Sequence, residues 1–268
     1  MRYLACLLPL LVVTAVAAPR VEQGPDGLSV RTAHYLATFA ADSGLLHTLT
    51  LADGMSLLTN TRLYCDVLPD GRRNFSARAD APATATVAAD GSVVIETVGK
   101  LFDPDGKVSA TFPFGYRARY QFDDTAQVRL AVSLIPGFDS DGVYGFAGHV
   151  LSIADQREFF VNTADGLISE LAATRPGRTY QSEREPLSPT DPYVGVVLRS
   201  GQVVQFRLMA DAEGVLNTCF HDLGEGPTHL FFCPLSGSNP RRAVKGTAWT
   251  HELMIEAMPL AAWGKAKP

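Results

Sequence analysis

One histidine, His149, stands in the stretch Val143 to Gly166 (VYGFAGHVLSIADQREFFVNTADG), near the middle of the chain. It follows two small residues, Ala147 and Gly148, and leads into the apolar run Val150 to Ile153. An imidazole titrates near neutral pH, so on a strand facing a groove His149 could serve as a general acid. The alternative is a half-buried histidine hydrogen-bonded to backbone. A second candidate chemistry is metal binding by Cys219, His221, His229 and Cys233, although their spacing fits no standard zinc pattern. A third is recognition by arginine, whose rigid fork of donors can clamp hydroxyls or carboxylates. Arg117, Arg119 and Arg129 are the candidates, with Tyr144 or Trp249 as an apolar platform for a sugar ring.

These side chains are useful only if the backbone places them. Alternation is cleanest in Tyr116, Ala118, Tyr120 and Phe122, and in Val128, Leu130, Val132 and Leu134. If those residues face a core, Arg117, Arg119, Gln121, Gln127, Arg129 and Ser133 point the other way. Asp123-Asp124 marks the turn, so the three arginines share one face of a hairpin. That face is either an ordinary solvated sheet or a binding surface.

Asp-Gly occurs seven times, with the Asp at 26, 53, 70, 90, 105, 141 and 165. Both residues tolerate positive φ, so the dipeptide favours tight hairpins. Strand-length runs lie between these turns, and no long helical pattern follows the N-terminal segment. The expected fold is all-β, an antiparallel sandwich of two large packed sheets with little helix. Arg175 to Pro192, with four prolines, reads as a long surface loop, a lid or rim rather than a linker.

Residues 1–17 read as a secretory signal peptide. Arg2 supplies the positive charge, Leu4 to Val16 is nearly all apolar, and Ala15-Val16-Ala17 offers a cleavage site. A membrane span needs about 20 apolar residues, and Pro19-Arg20 cuts the run short. The expected product is secreted or periplasmic, without membrane insertion after cleavage, and 18–268 forms one domain. A formal net charge of −5 provides no overall basic field for nucleic acid. No phosphate loop, H-E-x-x-H or G-x-S-x-G motif is present, and no cofactor is expected. Export permits disulfides. Counting symmetrically from Gly226 sets Cys219 opposite Cys233 across a hairpin, leaving Cys65 as a buried thiol.

Several phrases resemble the galactose mutarotase-like β-supersandwich proteins. HYLATFAADSGLLHTLTLADGMSLL (34–58) looks like their first strands. FPFGYRARYQFDDTAQVRLAVSL (112–134) is similar to their paired long strands, and VKGTAWTHELMIEA (244–257) to their closing strand. GHVLSIADQREFFVNTADGL (148–167) resembles the place where mutarotases carry a catalytic histidine. The resemblance implies that His149 protonates the ring oxygen of an aldose while a glutamate after a late apolar strand takes the anomeric proton. Leu235 occupies that place, and Glu252 or Glu256 could substitute only if the last strand turned them to the groove. Three functions follow: a carbohydrate-binding protein with a degenerate epimerase site, an active epimerase or polysaccharide lyase using His149, or a structural envelope protein that binds no sugar.

Overall fold

The computed structural model describes residues 18–25, 27–68, 72–74, 76–153, 155–171, 179–181, 187–211, 217–221, 228–235 and 240–263. The expected signal peptide, and the turn between Cys219 and Cys233, lie outside them. Strands β1 Arg20–Gly24, β2 Gly27–Arg31, β3 Tyr35–Phe39, β4 Leu46–Leu51 and β5 Ser56–Leu58 form a five-stranded antiparallel sheet in chain order. Then come β6 Asn60–Leu68, β7 Arg72–Asn74, β8 Ser76–Ala79, β9 Thr84–Val87, β10 Val93–Phe102, β11 Phe114–Phe122 and β12 Gln127–Pro136. The long β13 Ser140–Ile153 is followed by β14 Gln156–Thr163, β15 Gly166–Leu171, β16 Thr179–Gln181, β17 Tyr193–Leu198 and β18 Gln202–Asp211. The chain closes with β19 Asn217–His221, β20 Thr228–Leu235, β21 Arg241–Ala243, β22 Trp249–Pro259 and one helical turn, α1 Leu260–Trp263.

The largest sheet has the order β15-β14-β17-β18-β22-β12-β11-β10-β8, with β9 also paired to β10. A seven-stranded sheet runs β16-β19-β20-β13-β6-β7, with β21 on β13. The fold is therefore all-β, as the alternation implies. Phe206 of the large sheet meets Phe232 of the seven-stranded sheet at a ring-centroid distance of 6.1 Å, so the two inner faces pack together. Buried residues from all three sheets form one continuous main cluster.

Alternation in the central hairpin is as read from the sequence. Tyr116, Ala118, Tyr120 and Phe122 are buried opposite Leu134, Val132, Leu130 and Val128. The turn is held by Asp123 Oδ1, which accepts from the Thr125 amide at 2.8 Å. Gly27, Gly54, Gly91, Gly106 and Gly166 all have positive φ, the conformation that makes Asp-Gly useful in turns. Asp70-Gly71 lies outside the described residues, and among the others Asp141-Gly142 is the exception. It lies inside β13, where Ser140 and Val143 pair with β21 across a register shift, so it is not a hairpin turn. The 175–192 stretch also differs from a plain loop, because it contributes β16 to the edge of the seven-stranded sheet.

A smaller apolar cluster lies on the outer face of the large sheet. Phe160, Val197 and Val203 are covered there by Tyr193, Met258, Leu260 and Trp263.

Candidate functional site

His149 does not face a groove. Its β13 position is paired with Leu63 of β6 on one side and Phe232 of β20 on the other. Its side chain has no exposed surface. The facing side chain is His251 of β22, also fully buried, with a ring-centroid separation of 5.8 Å. Phe232 stacks on His251 at 6.3 Å. None of the four ring nitrogens has a hydrogen-bond partner. Burial, with a lesser contribution from His251, holds His149 well below the usual imidazole range, and burial alone brings His251 to about 3. Both rings are neutral at physiological pH and out of reach of a substrate at the surface.

Among the described residues, the positions considered for a base put no carboxylate beside His149. Leu235 is buried opposite Ala147. Glu252 and Glu256 alternate with the inward-facing His251, Leu253 and Ile255, so they point to the outer face. His149 and Glu252 therefore lie on opposite sides of the large sheet, and no single ring can lie between them.

The outer face carries the polar constellation instead. Arg117, Arg119 and Arg129 are exposed there, as expected from the alternation. Arg119 pairs across the sheet with Ala131, and Ala131 with Glu252. The small Ala131 side chain thus leaves a notch walled by Arg119 on one side and Glu252 on the other. Two strand spacings separate those walls, roughly 10 Å. Gln121 and Arg129, themselves paired, close one end, and Met209 lies beyond Glu252. The depression encloses about 200 Å³. Arg119 approaches Glu96 at 3.6 Å with both side chains about half exposed. Among the described residues, no ion pair engages Arg129 or Glu252, so both remain available to a ligand. Donors on two arginines and an amide, with one carboxylate acceptor around an apolar floor, suit a polyhydroxylated ring.

The other candidate residues are scattered. Trp249 is buried beside Phe114 with the Arg241 guanidinium over its ring at 5.1 Å, so it offers no platform. Tyr144 is 48% exposed, but it belongs to the seven-stranded sheet and does not line the notch. The hairpin register sets Cys219 opposite Phe231 and Cys233 opposite Asn217. The cysteines are therefore diagonal, a separation of about 7–8 Å, rather than directly opposed as the disulfide requires. Cys65 is buried, as expected. In the same hairpin His221 pairs with His229, whose Nδ1 lies 2.9 Å from the Ser152 hydroxyl. No group of three or more metal-binding side chains occurs among the described residues. Ala131, Glu252 and Met209 were not identifiable as site residues from local pattern, because β12 meets β22 by a pairing that runs from Gln127–Glu256 to Leu134–Trp249, between segments far apart in sequence.

No protein-family profile and no curated protein matches the sequence. Solved structures do match the fold. A candidate mutarotase, YeaD of Salmonella typhimurium, superposes with a TM-score of 0.52 at 9% identity, covering 90% of this chain and 94% of that one. The α-N-acetylgalactosaminidase NagBb of Bifidobacterium bifidum superposes with a TM-score of 0.53 at 8% identity, covering 89% of this chain and 38% of NagBb. The fold is galactose mutarotase-like.

Proposed function

We propose that this chain is an exported saccharide-binding protein that grips a sugar ring in the Arg119–Ala131–Glu252 notch and is a poor mutarotase. The notch is the observation that carries the reading. It gathers the Arg119 and Arg129 guanidiniums and the Glu252 carboxylate around a floor kept low by Ala131. The fold's likeness to a candidate mutarotase and to a galactosaminidase makes sugars the natural ligand class. Weak mutarotation follows from the burial of His149 and from the outward direction of Glu252 and Glu256. Among the described residues, no proton-transfer pair that an epimerase or a lyase could use shares one space with His149. Export rests on the 1–17 segment, and N-terminal sequencing of the protein recovered outside the cytoplasm tests it.

The binding test is a glycan-array screen beside polarimetry on simple aldoses. Each charged hydrogen bond lost should weaken binding by roughly 1.5–3 kcal/mol, about ten- to a hundredfold or more. Arg119→Ala is expected to show that loss while keeping the circular dichroism of the parent, because its exposed pair with Glu96 contributes little to stability. Rapid mutarotation would overturn the assignment of a degenerate site. No binding to any glycan would leave a structural protein.

A further inference from the structure

The notch is one part of a longer feature. Tyr193 of β17 pairs with Arg207 of β18, Arg207 with Met254 of β22, Met254 with Arg129 of β12, and Arg129 with Gln121 of β11. These five residues form one row perpendicular to the strands on the outer face, and none of them is buried. Four strand spacings make the row roughly 19 Å long. Its chemistry alternates between polar grip and apolar rest. Arg207 lies over the Tyr193 ring at 5.7 Å and is paired with Asp191, which fixes its guanidinium at the far end. Met254 is a low apolar step between the two arginines. Tyr193 in turn packs on Phe160, itself covered by Trp263, so the aromatic end of the row is supported from beneath.

We infer that the ligand of this face is an unbranched polysaccharide chain lying across the strands, rather than a free monosaccharide. The inference rests on the saccharide reading above and names the class of saccharide. A sheet repeats about every 4.8 Å from strand to strand, so an extended glycan can set successive rings over successive strands. One ring sits beside Arg119, Arg129 and Glu252, and the chain continues over Met254 to Arg207 and Tyr193. Stacking on an aromatic ring and hydrogen bonding to a pre-oriented guanidinium are the contacts this track provides. Simultaneous engagement of linked rings makes length itself a source of affinity.

The test is calorimetric titration of the full chain with xylo-, cello- and galacturono-oligosaccharides from one to six residues. For the series that binds, affinity should rise by about tenfold or more between one and five residues and level off thereafter. Arg207→Ala and, separately, Met254→Ala should bring the ratio of long-chain to monosaccharide affinity down toward one. Arg119→Ala should instead lower the affinity for every length. Equal affinity for one and five residues would overturn the track and leave the notch standing. A length effect that survives both Arg207→Ala and Met254→Ala would also overturn it. No binding at any length would overturn the saccharide reading together with the track.

Discussion

His149 and His251 face each other across the sandwich with four ring nitrogens unpartnered, which makes the folded state sensitive to acid. An unfolded imidazole titrates near 6.5. In the fold His251 is brought to about 3, and His149 is held well below its usual range. The unfolded chain therefore binds more protons at mildly acid pH. The pair's contribution is fully present above about pH 6.5 and is lost as pH falls toward 3. Each imidazole adds a slope of about 1.4 kcal/mol per pH unit, or about 2.7 for both. Urea unfolding at pH 7 and pH 4.5 measures this. His251→Leu should reduce the pH slope by about one proton's worth while remaining stable at pH 7, since an apolar side chain suits an apolar site. An unchanged slope would mean that His251 is already protonated or solvated in the folded protein.

At the scale of elements, close strand packing is set by small residues as much as by large ones. Gly99 of β10 lies opposite Ala79 of β8 and beneath the Tyr116 ring. A Cβ at this position would lie 2.1 Å from the Arg78 carbonyl oxygen and 2.7 Å from Tyr116. Relief requires moving either backbone or the tyrosine, whose hydroxyl donates to the Ser43 carbonyl at 2.6 Å. Gly99→Ala should cost about 1–3 kcal/mol, as overpacking does in tight cores. Thermal unfolding checks it. An unchanged midpoint would show that β8 does not pair with β10 in this register.

At the scale of the molecule, buried tyrosines hold the five-stranded sheet to the large one. Tyr35 of β3 donates its hydroxyl hydrogen to the Ala126 carbonyl and accepts from the Ala257 amide at 3.1 Å. Tyr120 of β11 accepts from the Leu46 amide at 3.1 Å. Burial pushes the Tyr35 phenol up to about 12, so it remains a donor over the whole physiological range. Tyr35→Phe keeps the ring but leaves the Ala257 amide without that acceptor. The expected loss is about 1–3 kcal/mol, the range for orphaning a buried polar group. Denaturant titration reads it, and a midpoint equal to the parent's would mean the two sheets are joined by apolar contact alone.

Features set within a few residues were legible in the chain. The two-residue alternation of 116–122 and 128–134 assigned each side chain to the core or the outer face, because a strand leaves no other choice. The Asp-Gly turns at 53, 90, 105 and 165 were legible for the same reason, since their conformation is set within a few residues. The phrases in 34–58, 112–134 and 244–257 pointed to the fold. Which neighbour each strand has was not legible, because long-range pairing sets it. Pairing β12 with β22 made a notch from Ala131 and Glu252, and a two-residue change of register separated Cys219 from Cys233. Long-range packing also sets what lies against each face. The same alternation that exposes Arg119 turns His149 and Trp249 inward, and only the seven-stranded sheet packing on the large one makes that inner side a dry core rather than a groove.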